Sequence, residues 1–308
     1  MTGHVMVFAP APLLTVTIEQ QADAVELHLH PGGQGVWQAR MIAALGVPAT
    51  LCVAVGGEVG AVLRAVLAAE NVEVRAVTRQ AGSGWSVHDR RDGNRTGIAE
   101  HPGEPMVRHD IDELYSVTLA EGLRAPVSVL SGPADPTVVD PDVYRRLAAD
   151  LTANGSKVVA DLSGPYLAAV LDGGVAFVKV SHEELVADGR AGDDSVDELV
   201  AAAHQLRKDG AGTVLVSRAD APALALLDDE VTEVHVPRLQ VVDHRGAGDS
   251  MSAGVAAVLA RGGDLEQAVR TGAAAGALNV TRHGLGTGRA ETIEELIGRV
   301  RLAPLDRG

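Results

Sequence analysis

The sequence predicts an α/β protein, a three-layer α/β/α sandwich on a mainly parallel sheet with a small β-lid set apart from it. Three observations carry this. Short continuous apolar runs alternate with Ala/Leu stretches of helical length, the pattern of strands buried on both faces and joined by crossover helices. Two segments, 16–30 and 85–99, alternate polar and apolar residues instead, as half-exposed strands do. Residues are 46% hydrophobic but only 2% aromatic, so the core is expected to be packed from Ala, Val and Leu.

In chain order, Val5–Phe8 reads as the first strand and Gly35–Leu45 as a helix stopped by Gly46. Thr50–Val55 is a buried strand, followed by a helix over Gly57–Ala69. Val127–Ser131 and Lys157–Asp161 are strands, separated by a helix over Pro141–Asn154 that ends at Gly155. A short helix, Pro165–Leu171, precedes the strand Ala176–Val180, and the helix Ser195–Lys208 precedes the strand Thr213–Ser217. A further β-run is expected to end at Asp243. Two Ala-rich helices close the chain, Ser250–Ala260 and Leu265–Asn279, with small residues that permit close packing. The excursions 16–30 and 85–99, the second around the turn Arg91-Asp92-Gly93-Asn94, are expected to meet as an antiparallel lid over one domain spanning 1–308.

Composition excludes several functions. The formal charge is −15, a field that repels nucleic acid and anionic membrane, so an anionic substrate needs local groups to hold it. Cys52 is the only cysteine, which rules out disulfide scaffolds and cysteine zinc sites. His28 and His30 would share a strand face, with no third metal ligand near them in sequence. The apolar start is broken by Pro10 and Pro12 and has no basic flank, so no signal peptide is expected. No apolar run reaches the ~18 residues of a membrane helix. A soluble, cytoplasmic protein is expected. Its lysines, Lys157, Lys179 and Lys208, follow no glycine, so a P-loop is absent. The best-placed Rossmann candidate, Gly56-Gly57-Glu58-Val59-Gly60, puts Glu58 where a glycine is needed. There is no HExxH and no GxSxG.

The informative segment is Asp243-His244-Arg245-Gly246-Ala247-Gly248-Asp249-Ser250. Small residues let successive backbone N–H groups converge, and a helix opening near Asp249 adds partial positive charge. That is an anion hole suited to a phosphoryl group, with Asp249 at its edge able to take a proton from a hydroxyl. The alternative is a tight turn with Asp249 as an N-cap.

The segment, followed by Ala253-Gly254, resembles the C-terminal signature of the PfkB carbohydrate kinases, the ribokinase-like family. Gly32-Gly33-Gln34-Gly35-Val36-Trp37-Gln38-Ala39-Arg40, about 210 residues earlier, resembles the N-terminal signature. Ser131-Gly132-Pro133, the stretch from Lys179 to Leu185, and the tail from Asn279 to Gly284 fall in the family's order. The nearest branch looks like 1-phosphofructokinase and tagatose-6-phosphate kinase. The resemblance implies a ribokinase-like fold and ATP-dependent phosphorylation of a hydroxyl on a sugar-like substrate. It implies ATP and Mg²⁺ as cofactors and leaves room for a monovalent cation. It implies Asp249 as general base and the amides of Gly246, Ala247 and Gly248 as the phosphoryl cradle, with Arg245 adding charge there or standing as an exposed loop arginine. Lys179, Ser181, Glu184, Ser217, Asn279 and Gly284 fall on the nucleotide side, Glu184 reaching Mg²⁺ through water and Asn279 near adenine. Thr15, Gly32, Gly33, Gln34, Trp37, Arg90 and Ser131 fall on the substrate side. Lids in this family often pair, so a homodimer through the lid is expected.

Departures from the family cluster at the acceptor. Thr15 stands for a carboxylate, Gln34 for a phosphate-contacting lysine, and Trp37 for a small amide or else as a packing residue. The arginine of the second lid segment falls at Trp85, with Arg90 or Arg91 as substitutes. A less charged acceptor is therefore expected. The rival reading is a protein that kept the fold to bind or sense a ligand and lost turnover.

Overall fold

A computed structural model describes residues 3–305. The chain runs β1 (Val5–Phe8), β2 (Leu13–Gln21), β3 (Ala24–Gly32), α1 (Gln34–Ala44), β4 (Ala49–Gly56), α2 (Gly57–Leu67), β5 (Glu73–Arg79), β6 (Ser83–Asp89), β7 (Thr96–Gly103), α3 (Arg108–Gly122), β8 (Val127–Ser131) and α4 (Asp142–Ala153). It continues with β9 (Lys157–Asp161), α5 (Gly164–Gly173), β10 (Val175–Ser181), α6 (His182–Ala187), α7 (Val196–Lys208), β11 (Ala211–Ser217), β12 (Ala223–Leu227), β13 (Glu230–His235), α8 (Ala247–Ala260), α9 (Leu265–Asn279), α10 (Ala290–Ile297) and β14 (Arg301–Pro304).

Ten strands form the main sheet in the order β14-β13-β12-β11-β10-β9-β8-β1-β4-β5. The run from β11 to β5 is parallel, and β12, β13 and β14 add an antiparallel edge. The apolar runs are continuous because each parallel strand feeds two cores. Val5 and Val7 of β1 pack with α1, α2, α8, α9 and α10. Met6 and Phe8 of the same strand pack with α3, α4, α5, α6 and α7. The third layer rests on small residues. A Cβ on Gly254 of α8 would stand 2.7 Å from Gly272 Cα of α9, and one on Gly276 would stand 3.0 Å from Ala247 O. The two backbones thus approach closely, and α9 buttresses the first residue of α8.

The lid is a four-stranded sheet, β3-β2-β6-β7. It differs from the expected antiparallel lid. Two antiparallel hairpins are joined by a parallel pairing of β2 with β6, because both leave the main sheet in the same direction. A second difference concerns Asp243. The chain from Val236 to Gly246 is a loop, and no strand ends there. The amides of Val242 and Asp243 donate instead to Val280 O, at 2.7 and 3.1 Å. Val241 and Val242 are exposed, so their apolar character does not mark a buried strand.

Candidate active site

Four neighbouring strands end in polar residues at one edge of the sheet: Ser131 on β8, Asp161 on β9, Ser181 on β10 and Ser217 on β11. Crevices beyond the carboxyl ends of parallel strands are where such sheets bind ligands. A cavity of about 590 Å³ opens there, lined by Lys179, Ser181, Ser217, the turn 218–221, His244, Ala247 and Gly248. Its floor is apolar, from Val234, Val236, Ala273 and Val280.

The turn 246–248 borders this cavity through Ala247 and Gly248. Gly246 is the N-cap of α8 in the left-handed region, at φ 73°, a conformation open to glycine at little cost. The helix begins at Ala247, so Asp249 is its third residue and not its cap. Gly248 is needed for a reason beyond bare amides. A Cβ there would meet the Lys179 ammonium and stand 2.7 Å from Lys179 Cε. The lysine crosses the helix N-terminus where a side chain would otherwise stand.

Behind the loop lies a group of acids around one cation. Lys179 Nζ is 3.3 Å from Asp161 Oδ1, and both residues are buried. Burial works to lower the ammonium's pKa, but Asp161, Glu184 and Asp249 outweigh it and the net shift is upward. Burial and the nearby Asp161 push the Asp249 carboxyl well above the usual carboxylate range, against the opposing pull of Lys179 and the Gln34 amide. Asp249 is thus a stronger base than an exposed carboxylate.

From the sequence Asp161 stands only as the last residue of a strand, with no role in the site. It is held on every side, by Gln38 Nε2 at 3.0 Å and Ser252 Oγ at 2.8 Å on Oδ2, and by Gln34 Nε2 at 3.0 Å on its carbonyl. Its position as the last residue of an apolar strand, level with Ser131 and Lys179, was the available signal.

On the other side of Gln34 the space divides. A compartment of about 240 Å³ is lined by Thr15, Gly33, Gln34, Trp37, Ser86, Arg95 and Pro133 among others. A cavity of about 460 Å³ under the lid is lined by Thr15, Gly32, His30, Trp37, Arg40, Arg90, Arg95, Arg245 and Gly284 among others. Thr15, Trp37 and Arg95 border both. Gly32 is fixed by contact, since a Cβ would stand 2.6 Å from Thr15 Oγ1. Gly33, at φ 106°, is the N-cap of α1.

Several residues lie elsewhere than expected. Asn279 does not line the nucleotide-side cavity. It is fully buried, its Nδ2 donating to Arg245 O at 2.7 Å and its Oδ1 accepting from Gly286 N at 3.1 Å. An amide at the end of a helix next to a loop cannot be aimed from sequence, and here both its ends go to backbone. Gly284 borders the lid cavity instead of the nucleotide side, because the loop after α9 folds back over α1. There Gly286 packs against the Trp37 backbone, where a Cβ would stand 2.7 Å from Trp37 Cα. Ser131 is fully buried, with its hydroxyl turned to Gln38 Oε1 and its carbonyl taken by Tyr144 OH. It supports the compartment without lining it. One Glu184 oxygen accepts from Ser181 N at 2.7 Å and Ser181 Oγ accepts from Glu184 N, a capping box on α6. Arg90 lines the lid cavity, whereas Arg91 pairs with Asp89 on the turn, at 2.6 Å. His28 and His30 stack on the lid rim at 6.0 Å. Among the described residues no three His, Cys, Asp or Glu side chains are grouped to hold a metal.

A mainly parallel α/β sheet with a glycine-bounded helix N-terminus, and cavities on either side of a buried acid, is an arrangement suited to phosphoryl transfer between small molecules. The chain belongs to the pfkB family of carbohydrate kinases, whose model matches residues 4–293. It is 28% identical over 276 residues to the 1-phosphofructokinase of Bacillus subtilis, covering 90% of this chain and 89% of that one. It is 31% identical over 261 residues to the ATP-dependent 6-phosphofructokinase isozyme 2 of Escherichia coli, covering 82% of each. The crystal structure of phosphofructokinase-2 from Escherichia coli in complex with potassium superposes with a TM-score of 0.84 at 26% identity, over 96% of this chain and 99% of that one. The ribokinase-like fold implied by the motifs is the fold of the chain, and the chain is a phosphotransferase. No helix among the described residues is long and apolar enough to cross a membrane.

Proposed function

We propose that the protein transfers the γ-phosphoryl group of ATP to a hydroxyl of a phosphorylated sugar. The observation that carries the acceptor class is Arg95, which has no carboxylate partner among the described residues and borders both the lid cavity and the compartment beside Gln34, with Arg90 and Arg245 beside it on the lid cavity. Guanidinium groups match phosphate geometry and keep their charge. This departs from the less charged acceptor expected from Thr15, Gln34 and Trp37. A missing lysine is visible in a sequence, but the arginines that replace its charge come from distant loops. The relatives named phosphofructokinases point the same way.

In this reading the nucleotide occupies the cavity between the turn 218–221 and α8. The amides of Gly246, Ala247 and Gly248 and the Lys179 ammonium meet the charge that develops on the transferring group. Asp249 takes the hydroxyl proton, its raised pKa matching that task. Mg²⁺ supplies charge neutralisation on the nucleotide phosphates. Glu184 lies beside the nucleotide cavity without lining it and has one oxygen tied in the capping box, so it would hold such an ion only through water, in keeping with the hydration Mg²⁺ retains. Asp161 orients Lys179 and carries no proton in transfer. The exposed Val25, Leu27 and Leu29 on alternate positions of β3 form an apolar outer lid face that a second copy would cover.

The test is ATP turnover across fructose 1-phosphate, fructose 6-phosphate, tagatose 6-phosphate, and unphosphorylated fructose, ribose and nucleosides. A phosphorylated sugar is expected to lead by about 10²-fold or more in kcat/KM, the order of one or two charge-assisted contacts. A free sugar or nucleoside at the head of the ranking refutes the acceptor class. ATP binding with no turnover on any acceptor refutes the kinase reading in favour of a sensor.

A further inference from the structure

Among the four arginines that line the lid cavity, Arg95 differs from the rest. Arg40 is held by Glu70, Arg90 stands 3.8 Å from both Glu19 and Asp243, and Arg245 pairs with Asp243. Among the described residues Arg95 has no carboxylate partner. It also borders both compartments, so its charge is the one left for a ligand at their junction. Its side chain is tethered by a single group, because an Arg95 N–H donates to His88 Nε2.

The chemistry of that contact fixes the state of the imidazole. A guanidinium has only donors, so Nε2 is bare and the proton sits on Nδ1. Ser86 Oγ stands 3.1 Å from the same nitrogen. Nδ1 is buried without a partner, so both polar contacts of the ring are made by Nε2. The lid aims it there with a bulge. Val87 pairs with Ala99 but His88 pairs with Gly97, leaving Ile98 as an extra residue on β7.

We infer that neutral His88 positions the Arg95 guanidinium for the acceptor, and that protonation of His88 releases it and weakens acceptor binding. This rests on the reading of the site as one that takes an anionic acceptor. A protonated ring would set N–H against N–H and add a cation beside Arg95 on the turn, Arg90 at the end of β6 and Arg245 on the anion loop. The carboxylate that acts on His88 against them is Glu100 of β7, while Glu19 and Asp243 face Arg90 and Arg245. Burial, followed by Arg245, already holds the imidazole pKa below its ordinary 6.5. The tether is therefore closed at neutral pH and opens as pH falls through the lowered value. Acceptor KM then rises, while KM for ATP, bound on the far side of Asp249, stays level.

Two measurements decide this. In an NMR titration of the histidines, with the His88 signal assigned by its loss in His88→Gln, Arg95→Met should raise the His88 pKa toward 6.5. An unchanged titration overturns the tether whatever the acceptor proves to be. In steady-state assays with ATP and fructose 6-phosphate or fructose 1-phosphate, His88→Phe should raise acceptor KM about tenfold, the order of one lost charge-assisted hydrogen bond. Its kcat and ATP KM should stay within about twofold. His88→Gln, whose Oε1 still accepts, should restore the wild-type KM and abolish its rise in acid. An acceptor KM unchanged in His88→Phe, or one that rises together with the ATP KM, overturns the positioning role. Should no sugar phosphate be turned over, it is the acceptor reading that fails, and the titration alone then decides the tether.

Discussion

Replacing Asn279 by Ala separates two roles for that residue, a contact to the nucleotide base and a strut between two loops. The side chain is fully buried and its two hydrogen bonds go to Arg245 O and Gly286 N. Alanine leaves both backbone groups without partners. Each buried unsatisfied group costs about 1–3 kcal/mol, so the loss is about 2–6 kcal/mol before any inflow of water. That is a large part of the 5–15 kcal/mol by which proteins are stable. At about 2 °C per kcal/mol, a rate suited to a long chain, Tm should fall by about 4–12 °C. Arg245 immediately precedes the N-cap of α8, so kcat should fall as the anion loop loosens. The checks are a thermal melt, a urea titration, and kcat and KM for ATP. A Tm within a degree of wild type, with ATP KM alone raised, would refute the strut and restore the base contact. Asn279→Asp sharpens the comparison. It keeps an acceptor for Gly286 N but sets a carboxylate oxygen against Arg245 O, so its penalty should grow as pH rises and the carboxyl ionises.

Asp249→Asn should lower kcat by about 10²–10⁴, the range for a lost general base, with ATP binding retained by calorimetry; a near-wild-type rate would exclude the assignment. In the wild type the raised Asp249 pKa means that the base is lost as pH falls, so kcat should decline toward acid from a higher pH than an ordinary carboxylate allows. The same shift has an opposite sign for stability. A carboxyl whose pKa is raised on folding favours the fold at low pH and opposes it once ionised, so Asp249→Asn should not lower Tm at neutral pH, which a melt will show. Gly248→Val should expel Lys179 from the helix N-terminus and abolish turnover with every acceptor; survival of activity would make the close approach of that lysine incidental. Charged substitution of the apolar outer lid, as in Leu27→Glu, should convert a dimer to a monomer in sedimentation at micromolar concentration. A wild-type monomer under those conditions removes the lid as an interface.

What the sequence determined by itself is local. The parallel core was legible because each central strand must be apolar at consecutive positions to feed two cores, as Val5, Met6, Val7 and Phe8 do. The glycine turn into α8 was legible because it is made by neighbours in the chain: a left-handed Gly246, a bare Gly248 and an acid in the first turn. The lid excursions were legible from their alternation, though not the parallel pairing of β2 with β6, which depends on how both leave the main sheet. The antiparallel edge of β12, β13 and β14 was missed, since the Ala and Leu run of β12 suits a helix as well as a strand and the short, mixed β13 and β14 carry no period that sets them apart from loops.

The tertiary structure decided everything in the site that is paired through space. Asp161 is bound by Gln34, Gln38 and Ser252, which lie 127, 123 and 91 positions away in the chain. Arg245 is tied by Asn279, 34 positions on. No spacing rule reaches across such distances, because helix and strand periods describe only which neighbours share a face. The acceptor side shows the consequence most clearly. The sequence displayed the loss of a lysine at Gln34, and only the folded chain brings Arg90, Arg95 and Arg245 around the same space. Charge is a property of a place, and the place is made by the fold.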